Sequence, residues 1–425
     1  MTCEVAVLNK YAVVIAADSA VTTTNGQGEP RYSKGGNKIF QLSHTEPVGV
    51  MIFGTASVCG MPWEVVIKAY RAEHLQTNKF DSVQEYAENF FSFLQSAASP
   101  ISTTVRDDSF VDGLQTAAGQ LLSLMQSHDP SISDAALPSA ERAPHASTAL
   151  LAIEADLDGK PYKTDALGQA AARTLAAPPQ RFRDIILGGL EQGGLSDVID
   201  VDRFVSVACK YYFRNYESLS PTTGVVFAGY GKLEYFPCVI EYSVAGFMGD
   251  HLAYDVKQRS AISNEVPSNI IPFAMTSAVD AFMSGVGFDV FATVDTLYRK
   301  YALDFARSVL GGLGVAEPPT LEADAEQSRE AFTNDWYGKV LTGHYHPLRS
   351  VISALPLEEM AHLAETLVTL ESLKERVTTP KQSVGGPIDV AVITKSEGLV
   401  WIKRKHFFDS DKNLRFILRQ RAIHQ

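Results

Sequence analysis

The stretch TCEVAVLNKYAVVIAADSAVT, residues 2–22, decides the fold of this chain. Residues 4–8, apolar after Glu4, are predicted to form one strand, residues 9–10 interrupt it, and a second, apolar run over residues 12–17 ends at Asp18. Two short apolar runs joined by a polar break predict a β-hairpin. Most chains leave their first residues loose and polar. A strand that begins this early therefore indicates that the start of the chain lies at an important position.

Composition places this chain among globular proteins. It has 425 residues, of which 45% are hydrophobic and 20% charged, enough apolar sequence for a sizeable core. The net charge of −12 argues against nucleic acid or an anionic membrane as the main partner. Its four cysteines lack zinc-site spacing and fit a reducing cytoplasm. No apolar run reaches the length of a membrane span, and charges interrupt the first run where a signal peptide would be apolar.

Strands and helices are predicted in separate blocks. Further strands are expected at residues 38–43, 48–54, 223–231, 235–244, 387–396 and 399–408, and helices at residues 57–74, 82–97, 274–310 and 356–377. Loops or exposed connections are expected at residues 22–37 and 128–147, and an acidic stretch at residues 315–335. Paired strands and grouped helices favour antiparallel sheets covered by helices, an α+β fold. Two sheets facing each other between helix layers would give a four-layer αββα sandwich.

The predicted domain organisation is a sheet core interrupted twice by mainly helical insertions. The core is expected in three pieces, residues 1–98, 221–284 and 346–425, and the insertions at residues 99–220 and 285–345. The first insertion is mainly helical, and the second is helical and acidic.

Thr2 is a candidate nucleophile because removal of Met1 would leave it as the terminal residue. Its hydroxyl would then lie beside a free α-amine, whose ordinary pKa of about 7.7–8.0 allows it to accept a proton near neutral pH. A hydroxyl beside such a base is a recognised form of activated nucleophile. Lys38, at the start of a predicted strand, would favour deprotonation of the hydroxyl, and Asp18 would hold that lysine charged and oriented. Backbone N–H groups of the segment FGTAS, residues 53–57, could stabilise an oxyanion.

At these residues the chain resembles the proteasome β-subunit family of N-terminal nucleophile (Ntn) hydrolases, as an enlarged bacterial-type member with long insertions. The opening hairpin with its A-D-S-x-x-T ending, Lys38 before an aliphatic strand and the segment VGVMIFGTAS carry the resemblance. It implies the four-layer Ntn sandwich, with Thr2 as nucleophile, Asp18 and Lys38 as its catalytic partners and Thr22 as a contact to a substrate strand.

The resemblance also assigns an oxyanion turn and a supporting serine, and both depart from the family pattern. Phe53 precedes Gly54 at the oxyanion turn, where the family usually has two glycines. Ser277 is the nearest candidate for the family's supporting serine. Residues 381–383 stand where the family has an aspartate and a serine before its last glycine pair.

The function expected from this resemblance is that of a threonine peptidase or amidohydrolase that needs no metal or organic cofactor. A peptide or protein substrate, a homo-oligomer and an ATP-dependent unfoldase are the expected partners, without nucleic acid or membrane. The alternative is a catalytically inactive relative that keeps the fold for scaffolding or binding, which the missing support residues favour.

Other interpretations of single residues remain open at the level of sequence. Asp18 and Lys38 could form a plain ion pair that closes a hairpin. Cys3 could be a nucleophile, but neighbouring side chains on a strand face opposite ways, so a buried structural cysteine is the better interpretation. His344 and His346 form a lone His-x-His pair, a weak indication of a metal site.

Overall fold

A computed structural model of the chain describes residues 2–24, 30–75, 78–378, 385–406, 408, 411–415 and 418. Within these residues the strands are β1 (Cys3–Asn9), β2 (Val13–Ala17), β3 (Val21–Thr24), β4 (Pro30–Ser33), β5 (Ile39–Gln41), β6 (Val48–Gly54), β7 (Ser57–Val58), β8 (Met61–Pro62), β9 (Thr223–Gly229), β10 (Cys238–Met248), β11 (His251–Ala261), β12 (Ser268–Ala274), β13 (Asp389–Thr394) and β14 (Gly398–Lys403).

The helices within the same residues are α1 (Trp63–Glu73), α2 (Val83–Gln95), α3 (Thr103–His128), α4 (Ser139–Asp158), α5 (Asp165–Ala176), α6 (Gln180–Gln192), α7 (Val201–Leu219), α8 (Ser277–Ser284), α9 (Phe288–Leu313), α10 (Leu321–Val340), α11 (His346–Ser353) and α12 (Leu357–Thr378). A short π-helical stretch, Leu341–Tyr345, joins α10 to α11.

Two five-stranded antiparallel sheets form the centre of the fold. The first has the strand order β12-β1-β2-β13-β14 and the second has the order β11-β10-β9-β6-β5. Every residue of β1 and β2 is buried, which explains why both strands read as continuous apolar runs. The expectation of antiparallel sheets in an α+β fold is therefore confirmed, and the first and last strands share one sheet.

Buried side chains of the two sheets pack against each other. One hydrophobic cluster joins the inward faces of β1, β2, β12 and β13 to those of β5, β6, β9 and β10. The sheets approach closely at Gly49 on β6, where a Cβ atom would lie 2.9 Å from the side chains of Ile393 and Leu399. The space between the sheets is thus filled by apolar contacts of both.

Helices cover the outward face of each sheet. Side chains of α1 and α2 pack on the second sheet, with Trp63, Phe90 and Phe91 fully buried. Side chains of α8, α11 and α12 pack on the first sheet, on the opposite faces of β1 and β2. The alternation along β1 follows from the two-residue period of a strand, which sends odd positions toward α12 and even positions toward the second sheet.

The helices α3–α7 form a separate hydrophobic core. In the chain they lie between strands β5 and β6 and strands β9–β11 of the second sheet. Serine, threonine and aspartate side chains cap several of them, as Ser102 does for α3 and Thr164 for α5. Part of this region was expected to be an exposed connection, residues 128–147, but α4 already begins at Ser139. Pro144 lies inside α4 and removes one helical hydrogen-bond donor, which the apolar contacts of Ala146, Ala149 and Leu150 offset.

The helices α9 and α10 pack against each other through stacked aromatic rings. The ring centroids of Phe291 and Trp336 lie 4.5 Å apart and those of Tyr298 and Phe332 lie 4.4 Å apart. Arg329 pairs with Asp295 across the two helices at 2.7 Å. Most of the acidic stretch at residues 315–335 lies in α10 and is therefore helical.

Several strands lie where the sequence predicted none. The predicted loop at residues 22–37 contains β3 and β4, because a run of β-branched residues favours a strand despite its polarity. Strands β11 and β12 were also missed. The helix expected over residues 57–74 begins only at Trp63, because the small hairpin β7–β8 precedes it. The domain boundaries remain a prediction.

Within the described part of the chain, no single helix is long and apolar enough to cross a membrane. One bent pair, α8 with α9 at 69°, reaches that length and composition only when the two are taken together. In the same residues, no three His, Cys, Asp or Glu side chains group so that they could hold a metal ion.

Candidate active site

The β1–β2 hairpin brings Thr2 and Asp18 together at its open end. Thr2 directly precedes β1 and Asp18 directly follows β2, so antiparallel pairing places them side by side. Two hydrogen bonds close this end. The backbone N–H of Asp18 donates to Cys3 O at 3.1 Å, and the backbone N–H of Cys3 donates to Asp18 Oδ1 at 3.1 Å.

Lys38 reaches the same point from the second sheet. It directly precedes β5, and its carbonyl accepts a hydrogen bond from the N–H of Ile52 on β6 at 3.0 Å. Its Nζ atom lies 2.9 Å from Thr2 Oγ1 and 2.5 Å from Asp18 Oδ1. All three residues are buried, with Thr2 8% exposed, Asp18 1% and Lys38 5%. The structure thus brings Thr2, Asp18 and Lys38 together, while their catalytic roles remain predictions.

The carboxylate of Asp18 is fully supplied with donors. Oδ1 accepts from Cys3 N–H and Lys38 Nζ, and Oδ2 accepts from Gly385 N–H at 2.9 Å and Ala20 N–H at 3.3 Å. Four donors match the acceptor capacity of an ionised carboxylate. Asp18 therefore fixes the Lys38 ammonium in one position, from which it donates to the Thr2 hydroxyl.

This arrangement can polarise the Thr2 hydroxyl. An ammonium 2.9 Å from Oγ1 stabilises negative charge that develops on that oxygen, and the effect is stronger in a buried site than in water. Chemically, the site can support a nucleophilic attack by Thr2 Oγ1 on an electrophilic carbon.

The backbone of Thr2 is held by the segment after β12. The N–H of Met275 donates to Thr2 O at 3.1 Å. The preceding residue, Ala274, has a φ of +62°, a conformation that non-glycine residues rarely adopt. Backbone strain of this kind collects at functional sites, where the surrounding structure enforces it.

Ser277, the predicted supporting residue, has other partners among its described contacts. Its hydroxyl donates to Glu371 Oε1 at 2.9 Å and accepts from Lys374 Nζ at 2.8 Å. Glu371 is fully buried on α12, and its Oε2 also accepts from the N–H of Ala278 at 2.7 Å. Glu371 therefore caps the first turn of α8. Glu371 and Lys374 were not predicted from the sequence, although a glutamate on the buried face of an amphipathic helix is a signal that could have found the first of them.

The predicted oxyanion segment differs from expectation in its local structure. No helix begins there within the described residues, since β7 and β8 lie between Gly54 and α1. The N–H of Thr55 donates to Thr222 O at 3.3 Å. Gly54 has a φ of +79°, and the ring of Phe53 lies over the Cα of Gly224. The N–H of Thr55 is thus engaged within the fold, and the oxyanion role of Phe53 and Gly54 remains a prediction.

Thr22 and Cys3 are two further residues that the sequence singled out. Thr22 belongs to β3, opposite Tyr32, but its side chain is outside the described part of the structure, as are residues 381–383. Cys3 faces α12 on the other side of β1 from Thr2, as expected, and burial raises the pKa of its thiol far above the ordinary range. A thiol that stays protonated is a poor nucleophile.

Glu4 is a functional candidate that sequence reasoning passed over. It lies on β1 two residues after Thr2, is fully buried, and neither of its carboxyl oxygens has a hydrogen-bond partner. The signal in the sequence is an acidic residue inside a strand of otherwise apolar residues, which was interpreted only as part of that strand.

The chain can be compared with protein-family models, with curated proteins and with solved structures. No protein-family model matches the chain, and no curated protein matches it. Among solved structures, a Gly-1 mutant of Anbu from Hyphomicrobium sp. strain MC1 matches with 11% identity and a TM-score of 0.27, over 99% of this chain and 96% of that one. Anbu from Yersinia bercovieri, titled an ancestral beta-subunit, matches with 10% identity and a TM-score of 0.24, over 98% of this chain and 97% of that one.

The assignment of this chain to the proteasome β-subunit family is therefore wrong as a family assignment. The two structures named above are Anbu proteins, and their TM-scores of 0.27 and 0.24 are too low to carry a family or a function across. A motif of about twenty residues in a hairpin was too short to decide membership, because such motifs also arise outside a family.

Proposed function

We propose that this protein is a hydrolase of peptide or amide bonds that uses Thr2 as its terminal nucleophile once Met1 is removed. One observation carries the proposal: a single buried ammonium, Lys38 Nζ, contacts both the Thr2 hydroxyl at 2.9 Å and the Asp18 carboxylate at 2.5 Å. A hydroxyl, a positive charge that favours its deprotonation and an acid that fixes that charge are the parts of an activated nucleophile.

The proposed reaction has two stages. Thr2 Oγ1 forms a bond to the carbonyl carbon of the substrate, and its proton passes to the free α-amine of Thr2. The C–N bond then breaks, the amine of the substrate leaves with that proton, and an ester to Thr2 remains. Water adds to the ester carbon in the second stage, which releases the carboxylic acid and restores the hydroxyl. Phe53 and Gly54 are the proposed donors to the oxyanion.

The finer description of the fold belongs to the same proposal. Helix contacts on the outward face of each sheet, and sheet contacts between them, support a four-layer αββα arrangement of the Ntn type. A peptide or protein substrate, a homo-oligomer and an ATP-dependent unfoldase remain proposed partners, and the cytoplasm remains the proposed compartment.

Covalent labelling tests the nucleophile. Intact-mass measurement first establishes that the purified protein begins at Thr2. A β-lactone or an epoxyketone should then add one probe mass, and the epoxyketone is the sharper probe because it needs both the hydroxyl and the free α-amine. Thr2→Ala should abolish the labelling, whereas Cys3→Ser should retain it, because Cys3 faces the other side of β1. Labelling that persists in Thr2→Ala and disappears in Cys3→Ser would assign the chemistry to the thiol.

A second candidate is a catalytically inactive scaffold or binding protein. The observation that favours it is the low exposure of Thr2, of which 8% is accessible. Removal of Met1 without labelling by probes of several sizes would support this candidate.

A further inference from the structure

The side chain of Glu4 faces the space between the two sheets, on the same side of β1 as Thr2. Its cross-strand neighbours are Phe273 on β12 and Ala17 on β2, and both of these side chains belong to the cluster between the sheets. Residues two apart on a strand share a face. Glu4 is therefore the next inward-facing side chain after the proposed nucleophile.

The carboxyl group of Glu4 differs from the other buried acids around it. Both of its oxygens lack a hydrogen-bond partner. By contrast, Asp18 has four donors, and Asp389, which follows Ala17 in the same cross-strand row, accepts from the backbone N–H of Lys405 at 2.8 Å and from its ammonium. Burying an ionised carboxylate without partners costs far more than burying the neutral acid.

Three charged groups act on Glu4 from the elements packed against β1. They are Lys38 before β5, Asp18 after β2 and Glu241 on β10, whose carboxylate accepts from Gln258 Nε2 at 2.6 Å. Burial raises the pKa of Glu4 well above its ordinary value, Lys38 lowers it, and Asp18 and Glu241 raise it further. The Lys38 ammonium already forms an ion pair with Asp18, so it does not neutralise a second carboxylate at Glu4.

We propose that Glu4 is a positioning residue of the Thr2 site that stays an uncharged carboxylic acid, so that Asp18 remains the only ionised partner of Lys38 among the residues that the structure describes. An ionised Glu4 would add a second negative charge to a buried site that has one ammonium. That charge would oppose the negative charge that develops on Thr2 Oγ1. The effect on reactivity rests on the proposed function, whereas the charge state of Glu4 does not.

The charge state is tested by stability alone. Urea unfolding of wild type and Glu4→Gln is compared from pH 5 to pH 9, with the exposed Glu141→Gln on α4 as control. A carboxyl whose folded pKa is raised contributes stability below its unfolded pKa and loses it as pH rises toward the folded pKa. The folding constant of wild type relative to Glu4→Gln should fall about tenfold per pH unit over that window. A ratio that does not change with pH, as expected for Glu141→Gln, would overturn the neutral acid.

The role in the site is tested by the pH profile of labelling. The rate at which a β-lactone labels Thr2 should decline at alkaline pH in wild type as Glu4 ionises, and Glu4→Gln should lose that decline. Glu4→Leu is also uncharged but differs from glutamine in shape and polarity, and it should lose the decline too. Loss of the decline in both variants assigns it to the charge of Glu4 rather than to a structural effect of one substitution. Profiles that superimpose would overturn the positioning role. If no variant is labelled at any pH, this role falls with the proposed function, while the stability comparison still decides the charge of Glu4.

Discussion

The backbone N–H of Gly385 donates to Asp18 Oδ2 at 2.9 Å across a sequence separation of 367 residues. This bond links the hairpin that carries Thr2 to the segment that leads into β13. Gly385 has a φ of +134°, which turns its N–H toward the carboxylate. The geometry of the candidate site therefore depends on a backbone donor from near the other end of the chain.

Gly385→Ala should weaken both the fold and the site. A Cβ atom has room there, with its nearest neighbour at 3.8 Å, but the φ of +134° is strained for alanine. We expect a loss of about 1–3 kcal/mol in the free energy of unfolding and slower labelling of Thr2. Urea unfolding and labelling rates measure these effects. Gly119→Ala is the matched control: Gly119 lies on the exposed side of α3 with nothing within 4 Å, so the change should stabilise by about 0.5–1 kcal/mol. Equal stability of the two variants would contradict the strain argument.

Lys38→Met should lower the stability of the fold and also slow the labelling of Thr2 strongly. Removing the ammonium leaves the buried Asp18 carboxylate with backbone donors only, at a cost of about 3 kcal/mol. Labelling of Thr2 should slow by at least about 100-fold, because the hydroxyl loses the adjacent positive charge.

Lys405→Met supplies the control for that loss. Lys405 also pairs with a buried acid, Asp389, and the described contacts join this pair to neither Thr2 nor Asp18. It should lower stability in chemical unfolding without slowing the labelling. Equal labelling defects in both variants would assign the Lys38 effect to lost stability.

Glu371→Ala should destabilise the start of α8. The variant leaves the N–H of Ala278 and the hydroxyl of Ser277 without their acceptor, at a cost of about 2 kcal/mol. Glu365→Ala, on the same helix, removes only a surface pair with Lys403 and should cost less than about 1 kcal/mol. Thermal unfolding of both variants measures the difference, and similar losses would show that Glu371 does not cap α8.

Gly224→Ala should displace the ring of Phe53. The added Cβ would lie 2.0 Å from Phe53 Cζ, so the ring must move, at a cost of about 1–3 kcal/mol. In Phe53→Ala the same Gly224→Ala change should cost little, which gives a coupling of about 1–2 kcal/mol in a double-mutant cycle. Additive losses in that cycle would show that the two residues act independently. Gly189→Ala on α6, with nothing within 4 Å, is the control.

The local features of the site that depend on sequence-near residues could be predicted. The apolar runs of β1 and β2 fixed the hairpin, and the hairpin alone places Thr2 beside Asp18. Lys38 could be proposed from its type and position, because it precedes a short apolar strand. The long helix α12 followed from its apolar periodicity, since one face packs on the first sheet.

Features that depend on tertiary contacts could not be predicted in this way. Strand β12 contains Pro272, which argues against a strand, yet it lies at the edge of its sheet, where a missing N–H is tolerated. The capping role of Glu371 depends on the contact between α8 and α12, and no local sequence pattern predicts that contact. Glu4 looked like a simple interruption of an apolar run, and only the burial of both its oxygens reveals it.

The order of strands in the first sheet has a consequence for synthesis of the protein. Strand β2 lies between β1 and β13, so the sheet is incomplete until β13 and β14 have left the ribosome. Contacts of such high sequence separation form slowly, because a long loop must close first. An unfinished chain therefore presents Thr2 without the Gly385 donor that holds Asp18. Under the proposed function, a nascent or truncated product would carry the nucleophile but not its assembled surroundings. It would therefore not hydrolyse neighbouring chains before its own fold is complete.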